Sequence, residues 1–182
     1  MNVNDVIKQV ATYLQLTNVM SADLTSESLD PQTQKDVNLI VSSINQVLSD
    51  IATEYVPLIA SEEIEVQNCE FDLTTLSNAF HKLISVQTSK EYSLNFETLK
   101  IANGTYTIEY SYLPQIVKTG DEIDGFDTKL TVFSLSYGVA AEFCTISGNY
   151  SEAEMWNSKF ENAMEAVAKP HRTFELKKRR WL

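Results

Sequence analysis

Apolar residues recur at helical spacing in four stretches of the chain, two near its start and two near its end. The first stretch, residues 4–16, places Val6, Ile7 and Val10 on one face and predicts an amphipathic helix. Residues 20–29 are polar and rich in Ser, Thr and Asp, which predicts a loop.

The second stretch carries start and stop signals for a long helix. Asp30 can cap the helix by accepting a backbone N–H, and Pro31 suits the first helical position, where no N–H donor is needed. The apolar face continues to Tyr55, and Pro57 ends it, which predicts a helix of about 25 residues.

Beyond Pro57 the hydrophobic period falls to two residues, the spacing of a half-buried strand. Residues 61–113 therefore predict an antiparallel sheet of about four to six strands. Asn103-Gly104 lies between two alternating runs and predicts a hairpin with a type I′ turn, and Pro114 closes the region.

Two further helices are predicted after an acidic loop at residues 120–127. Gly148 suits the end of the first of them, and Ser151 with Glu154 predicts a capping box at the start of the second. The short connection predicts antiparallel packing. Phe133 and Trp156 both lie at helical apolar steps and are predicted in the core.

The element order predicts an α+β protein with a four-helix core, two helices from each end of the chain, and an inserted antiparallel β subdomain. Residues 1–58 and 120–169 are expected to form the core, 59–119 the insertion, and 170–182 a basic C-terminal arm.

Charge divides the chain into an acidic body and this short basic arm. The formal net charge of the 182 residues is −11. The last twelve residues carry five Lys or Arg and one Glu, a charge of +4, so the other 170 carry −15. An acidic body is unsuited to contacts with DNA phosphates, and the arm suits an acidic surface on a protein partner or simply solvent.

Catalytic patterns are scarce. His81 and His171 fit no metal-ligand spacing, and the nucleophile-elbow, dinucleotide and phosphate-loop motifs are absent. Cys69 and Cys144 fit no paired-cysteine motif, so both are expected to be buried thiols. We expect no enzyme activity and no cofactor, although a carboxylate site cannot be recognised among 25 acidic residues without geometry.

Two clusters have alternative interpretations. The loop residues Asp121, Glu122, Asp124 and Asp127 lack the full calcium-loop pattern and are expected to be an exposed loop, with a metal site as the alternative. Residues 106, 110 and 112 are tyrosines on one strand face, which favours sheet packing but also suits a carbohydrate- or peptide-binding surface.

The layout as a whole resembles the head–tail connector (adaptor, or neck) proteins of tailed bacteriophages, in particular the podovirus-type tubular adaptors. The resemblance rests on the long helix ending at Tyr55 and the β insertion, and then on four later segments. These are Tyr110-Ser-Tyr-Leu-Pro114, the acidic loop, Tyr137-Gly-Val-Ala-Ala-Glu142, and Gly148-Asn-Tyr-Ser-Glu-Ala-Glu-Met-Trp156 leading into a helix with a basic tail.

This resemblance implies a virion structural protein at the head–tail junction, assembled in the host cytoplasm without a membrane. It implies a ring of twelve copies that binds the portal protein above and a tail or neck protein below, with packaged DNA only passing through the channel. The arm would be the portal-binding segment, through Arg172, Phe174, Leu176, Lys177, Lys178, Arg179, Arg180, Trp181 and Leu182.

Overall fold

The computed structural model describes residues 1–26, 29–126 and 130–168. Helix α1 spans Val3–Tyr13 and is capped by Asn2, whose side chain accepts the N–H of Asn4 at 2.8 Å. Its apolar face is buried as predicted. A short helix, α2, spans Thr17–Ser21, so the helical region extends into the start of the predicted loop.

The long second helix is confirmed, with a change of winding at its end. Helix α3 spans Pro31–Asp50, and Asp30 caps it by accepting the N–H groups of Gln32 and Thr33, each at 3.1 Å. A π-helical turn, Ile51–Tyr55, continues it. The N–H of Val56 donates to the carbonyl of Ile51 at 2.8 Å and closes this wider turn.

Six antiparallel strands follow, arranged in two three-stranded sheets. They are β1 (Leu58–Val66), β2 (Glu70–Asp72), β3 (Phe80–Val86), β4 (Ser93–Asn95), β5 (Thr98–Lys100) and β6 (Gly104–Tyr112). The larger sheet has the order β1-β6-β3 and the smaller one β2-β5-β4. One hydrophobic cluster joins the two sheets, with Ile108 of the larger and Leu99 of the smaller both fully buried.

The predicted hairpin at Asn103-Gly104 is wrong, because β5 and β6 belong to different sheets. A type I′ turn needs positive φ at both residues, and only Gly104 has it, at 150°. The Asn103 side chain instead accepts the N–H of Cys69 at 2.7 Å, and Ile101 donates its N–H to the Cys69 carbonyl at 3.2 Å. These bonds hold the segment against another turn, so the chain crosses between sheets.

Helices α4 (Val132–Ile146) and α5 (Tyr150–Ala168) close the described chain. The N–H of Gly148 donates to the Thr145 carbonyl at 3.1 Å, and that of Asn149 donates to the Cys144 carbonyl at 2.8 Å. With Gly148 at φ 78°, this is a Schellman ending, and it confirms the prediction that Gly148 ends the helix. The predicted capping box is wrong, since Ser151 already lies inside α5.

The assignment of Phe133 to the core is also wrong. Its side chain is 58% exposed, whereas Leu135 and Val139 are fully buried. Apolar residues occur on nearly every face of α4, so their spacing alone does not identify which face is buried. Trp156 is 7% exposed and therefore buried, as predicted.

The largest hydrophobic cluster contains residues of all five helices. It joins the first part of the chain, represented by Ile7 and Ile44, to the last part, represented by Val139 and Met164. Val117 and Ile123, from the segment between β6 and α4, also belong to it. The two sheets have a separate cluster of their own, so the fold is α+β with distinct helical and β cores.

Candidate docking surfaces

The two cysteines lie in opposite environments. Cys144 is buried, and burial followed by the negative charge of Glu152 raises the pKa of its thiol to about 11. That thiol stays protonated near neutral pH and is a poor nucleophile. Cys69 is exposed, which corrects the expectation of a buried thiol, and its backbone has a positive φ of 60° in the turn before β2.

The structure describes one of the two histidines. His81 is exposed on β3, and His171 lies outside the described residues. Within the described ranges, no group of three or more His, Cys, Asp or Glu side chains is arranged to hold a metal ion.

The acidic loop is tied to the start of the chain. The Glu122 carboxylate forms an ion pair with the Met1 amino group at 2.9 Å and accepts the Asn2 amide at 3.0 Å. The hydrogen bond from Asn2, and then the N-terminal charge, lower the pKa of Glu122. Asp121 accepts the N–H of Lys118 at 2.7 Å through its side chain. The Glu122 carboxylate thus fastens the loop to the residues before α1, and the Asp121 carboxylate closes the loop on itself. Asp127 lies outside the described residues.

The tyrosine face of β6 is packed inside the β core. Tyr110 is fully buried and Tyr106 is 6% exposed, while Tyr112 is half-buried. The Tyr110 hydroxyl donates to Glu62 at 3.1 Å, and the Tyr106 hydroxyl donates to the Ala102 carbonyl at 2.7 Å. Two of the three rings therefore offer almost no surface to a carbohydrate or peptide.

An aromatic stack, which the sequence did not predict, joins α1, α4 and α5. Tyr13 stacks on Trp156 with ring centroids 4.8 Å apart and on Tyr137 at 5.4 Å. The Lys159 ammonium lies 4.2 Å from the centroid of the Trp156 ring. The three rings come from separate helices, so no local spacing signals the stack. The chain's own Lys159 already provides the cation that stacked rings of this kind would otherwise bind from a ligand.

A groove of about 390 Å³ runs between α3, α4 and α5, and we call it the acidic groove. Apolar side chains, among them Val47, Ala141 and Phe160, line its floor. Its charged lining residues are Asp50, Glu142 and Glu154, and its described lining contains no Lys or Arg.

Tyr55 is influenced by Asp50 of the acidic groove and by two further carboxylates outside it. This ring meets Phe160 edge-on, with centroids 5.8 Å apart. Burial raises the pKa of Tyr55, and the charges of Glu54, Glu161 and Asp50 raise it further. Carboxylates of α3, its π-helical turn and α5 therefore converge on one face of the helices.

A second exposed feature is the hairpin of β4 and β5. Its first turn residue, Phe96, has a positive φ of 52° and is 93% exposed, and Tyr92 and Leu94 nearby are each 45% exposed. A bulky side chain at positive φ is uncommon. No pattern in the sequence marks this tip, because β4 is too short for a recognisable alternation.

The predicted portal-binding arm, from Arg172 to Leu182, lies outside the described residues. Helix α5 leads into it and ends at Ala168.

No protein-family model matches the chain, and none of the curated proteins matches it at a significant level. Among the described residues, no helix combines the length and apolar character needed to cross a membrane.

Proposed function

We propose that this chain is a structural head–tail adaptor of a tailed bacteriophage. Twelve copies form a ring below the portal, extend the DNA channel and receive the tail or neck protein. The protein acts by binding other subunits and catalyses no reaction.

The observation that carries the proposal is the way the two ends of the chain share one core. Helices from residues 3–50 and from residues 132–168 contribute to a single hydrophobic cluster, while residues 58–112 build a separate one. A helical core interrupted by a β insertion is the layout that the resemblance to the tubular adaptors implies. In this proposal α1, α3, α4 and α5 are the four-helix core, and residues 59–119 are the insertion.

The distribution of charge agrees with a channel protein. Glu63 and Glu65 are exposed on the outer face of the larger sheet, and Glu109 is half-buried on the neighbouring strand. Together with the acidic groove, they give the described body acidic surfaces on both its helical and β parts. Negative walls repel DNA phosphates, so packaged DNA passes without sticking.

The arm supplies the chemistry for portal binding. Its four consecutive basic residues, 177–180, suit carboxylates on a partner, and Arg does so through two parallel hydrogen bonds. Phe174, Leu176 and Trp181 add apolar anchors of the kinds that contribute most to interface energies.

The test is attachment of the purified protein to DNA-free portal particles. Deletion of residues 171–182 is expected to abolish attachment, and electron microscopy of the intact complex is expected to show a twelve-fold ring. A matched control, Lys82→Gln, removes one exposed positive charge from the body and should leave attachment unchanged. Normal attachment of the truncated protein would contradict the role of the arm.

A further inference from the structure

The acidic groove and the C-terminal arm are chemically complementary parts of one chain. The groove combines an apolar floor with the carboxylates Asp50, Glu142 and Glu154. The arm combines five basic side chains with two aromatic ones. A basic, aromatic peptide buries its rings on such a floor while its cations pair with the rim.

We propose that, before portal binding, the arm of each molecule folds back into the acidic groove of the same molecule. This inference rests on the proposed function only in naming the portal as the competitor. The arm is then stored against its own body, and the portal must displace it.

The length of the arm permits this return. Glu154 lies 14 residues before the end of α5 at Ala168, which is about 21 Å along a helix axis. The 14 residues after Ala168 span up to about 46 Å when extended.

The order of residues along the arm matches the order of features along the groove. On α5, Phe160 lies nearer than Glu154 to Ala168. In the sequence of the arm, Phe174 likewise comes before the basic residues 177–180. An arm that returns from Ala168 therefore offers an apolar residue to the apolar floor first and its cations to the acidic rim further on.

Storage of the arm makes portal binding conditional. Docking of the arm in its own groove lowers the apparent affinity for a partner in proportion to the fraction of molecules whose arm is free. It also shields Phe174 and Trp181 from unproductive contacts between free molecules. A portal that offers both acidic and apolar contacts overcomes this competition, whereas an acidic surface without apolar contacts does not.

The experiment is limited trypsin digestion of the isolated full-length protein in low salt, with loss of the arm followed by intact mass. Glu142→Gln/Glu154→Gln removes two rim charges without adding cleavage sites. We expect the arm of this variant to be cleaved about threefold to tenfold faster than that of the wild type, because cleavage follows the population of the undocked arm. The control, Glu63→Gln/Glu65→Gln, makes the same charge change on the outer sheet face and should cleave at the wild-type rate.

Carbodiimide cross-linking supplies a second readout that does not depend on variants. Lys177 or Lys178 should cross-link to Asp50, Glu142 or Glu154 within the monomer band. A mixture of unlabelled and ¹⁵N-labelled protein should give only unmixed cross-linked peptides.

Equal cleavage of the arm in all three proteins would overturn the proposal. Cross-links of mixed isotope, found only in a dimer band, would overturn it in favour of docking on a neighbouring copy. No portal is present in either experiment, so failure of the adaptor function would appear in the attachment assay alone.

Discussion

Trp156 and Phe133 show how differently two aromatic residues at helical apolar steps are used. Trp156 packs against both Tyr13 and Lys159 and is almost completely buried. Phe133 lies in the first turn of α4 with more than half of its surface exposed. The first ring holds three helices together, and the second contributes little to the core.

We expect Trp156→Ala to lower the free energy of unfolding by about 3–5 kcal/mol, the usual cost of truncating a buried aromatic residue. Phe133→Ala is the matched control and should cost less than about 1 kcal/mol. Urea denaturation of both variants measures the difference. Equal losses would mean that the aromatic stack adds no stability.

Ionisation of Tyr13 makes the free energy of unfolding depend on pH in the alkaline range. Burial, followed by the hydrogen bond and charge of Tyr137, raises the pKa of its phenol from 10.0 to about 12. The folded state therefore keeps the proton longer than the unfolded state does. The resulting stability is fully present below pH 10 and is lost as the pH rises from 10 to about 12.

Tyr13→Phe removes this titrating group and keeps the ring. We expect its free energy of unfolding to fall less steeply than that of the wild type between pH 10 and 12, as measured by urea titrations at several pH values. Tyr55 and Cys144 titrate in both proteins, so the difference between the two slopes isolates Tyr13. Parallel pH profiles would show that Tyr13 is not perturbed.

At the scale of elements, local signals predicted the helices well and the strand pairing poorly. Asp30 and Pro31 mark the start of α3, and Gly148 the end of α4, because capping involves only neighbouring residues. Asn103-Gly104 carries an equally strong hairpin signal, but a bond from Cys69, 34 residues away, changes the local structure. Distant partners of this kind leave no trace in local sequence.

Gly138 marks the closest approach of α4 to its neighbours. A Cβ atom at this position would lie 2.8 Å from Cγ1 of Val47 and 2.9 Å from the ring of Phe160. The same contact forms part of the floor of the acidic groove. A glycine in the middle of a helix usually costs stability, so its presence here reflects packing.

Gly138→Ala should gain about 1 kcal/mol of helix propensity and lose about 1–3 kcal/mol to overpacking, with net destabilisation. Val47→Ala opens space for the new methyl group. A double-mutant cycle should therefore show a favourable coupling of at least about 0.5 kcal/mol between the two changes. Ile84→Ala, an exposed residue on β3, is the control and should be additive with Gly138→Ala. Additive Gly138 and Val47 changes would contradict the close packing.

For the whole molecule, the sequence predicted the α+β class and the order of helices and strands, but not the surfaces. The acidic groove takes Asp50 from α3, Glu142 from α4 and Glu154 from α5, residues up to about 100 positions apart. Hydrophobic spacing identifies which residues are apolar, whereas a groove depends on how three helices pack. The arm was recognisable because its charge and aromatic residues are contiguous.

The body is expected to fold independently of the arm. The hydrophobic clusters of the described chain are built from residues between Met1 and Val167, so a protein ending at Lys169 keeps every buried contact of the described chain. We expect circular dichroism to show a single cooperative melting transition for this truncated protein. An arm docked in the acidic groove adds a few partly exposed ion pairs, each worth about 0.2–1 kcal/mol. The full-length protein should therefore be slightly more stable at low salt, and the difference should vanish at high salt as the charges are screened. A truncated protein without a cooperative transition would show that the arm is part of the folding unit.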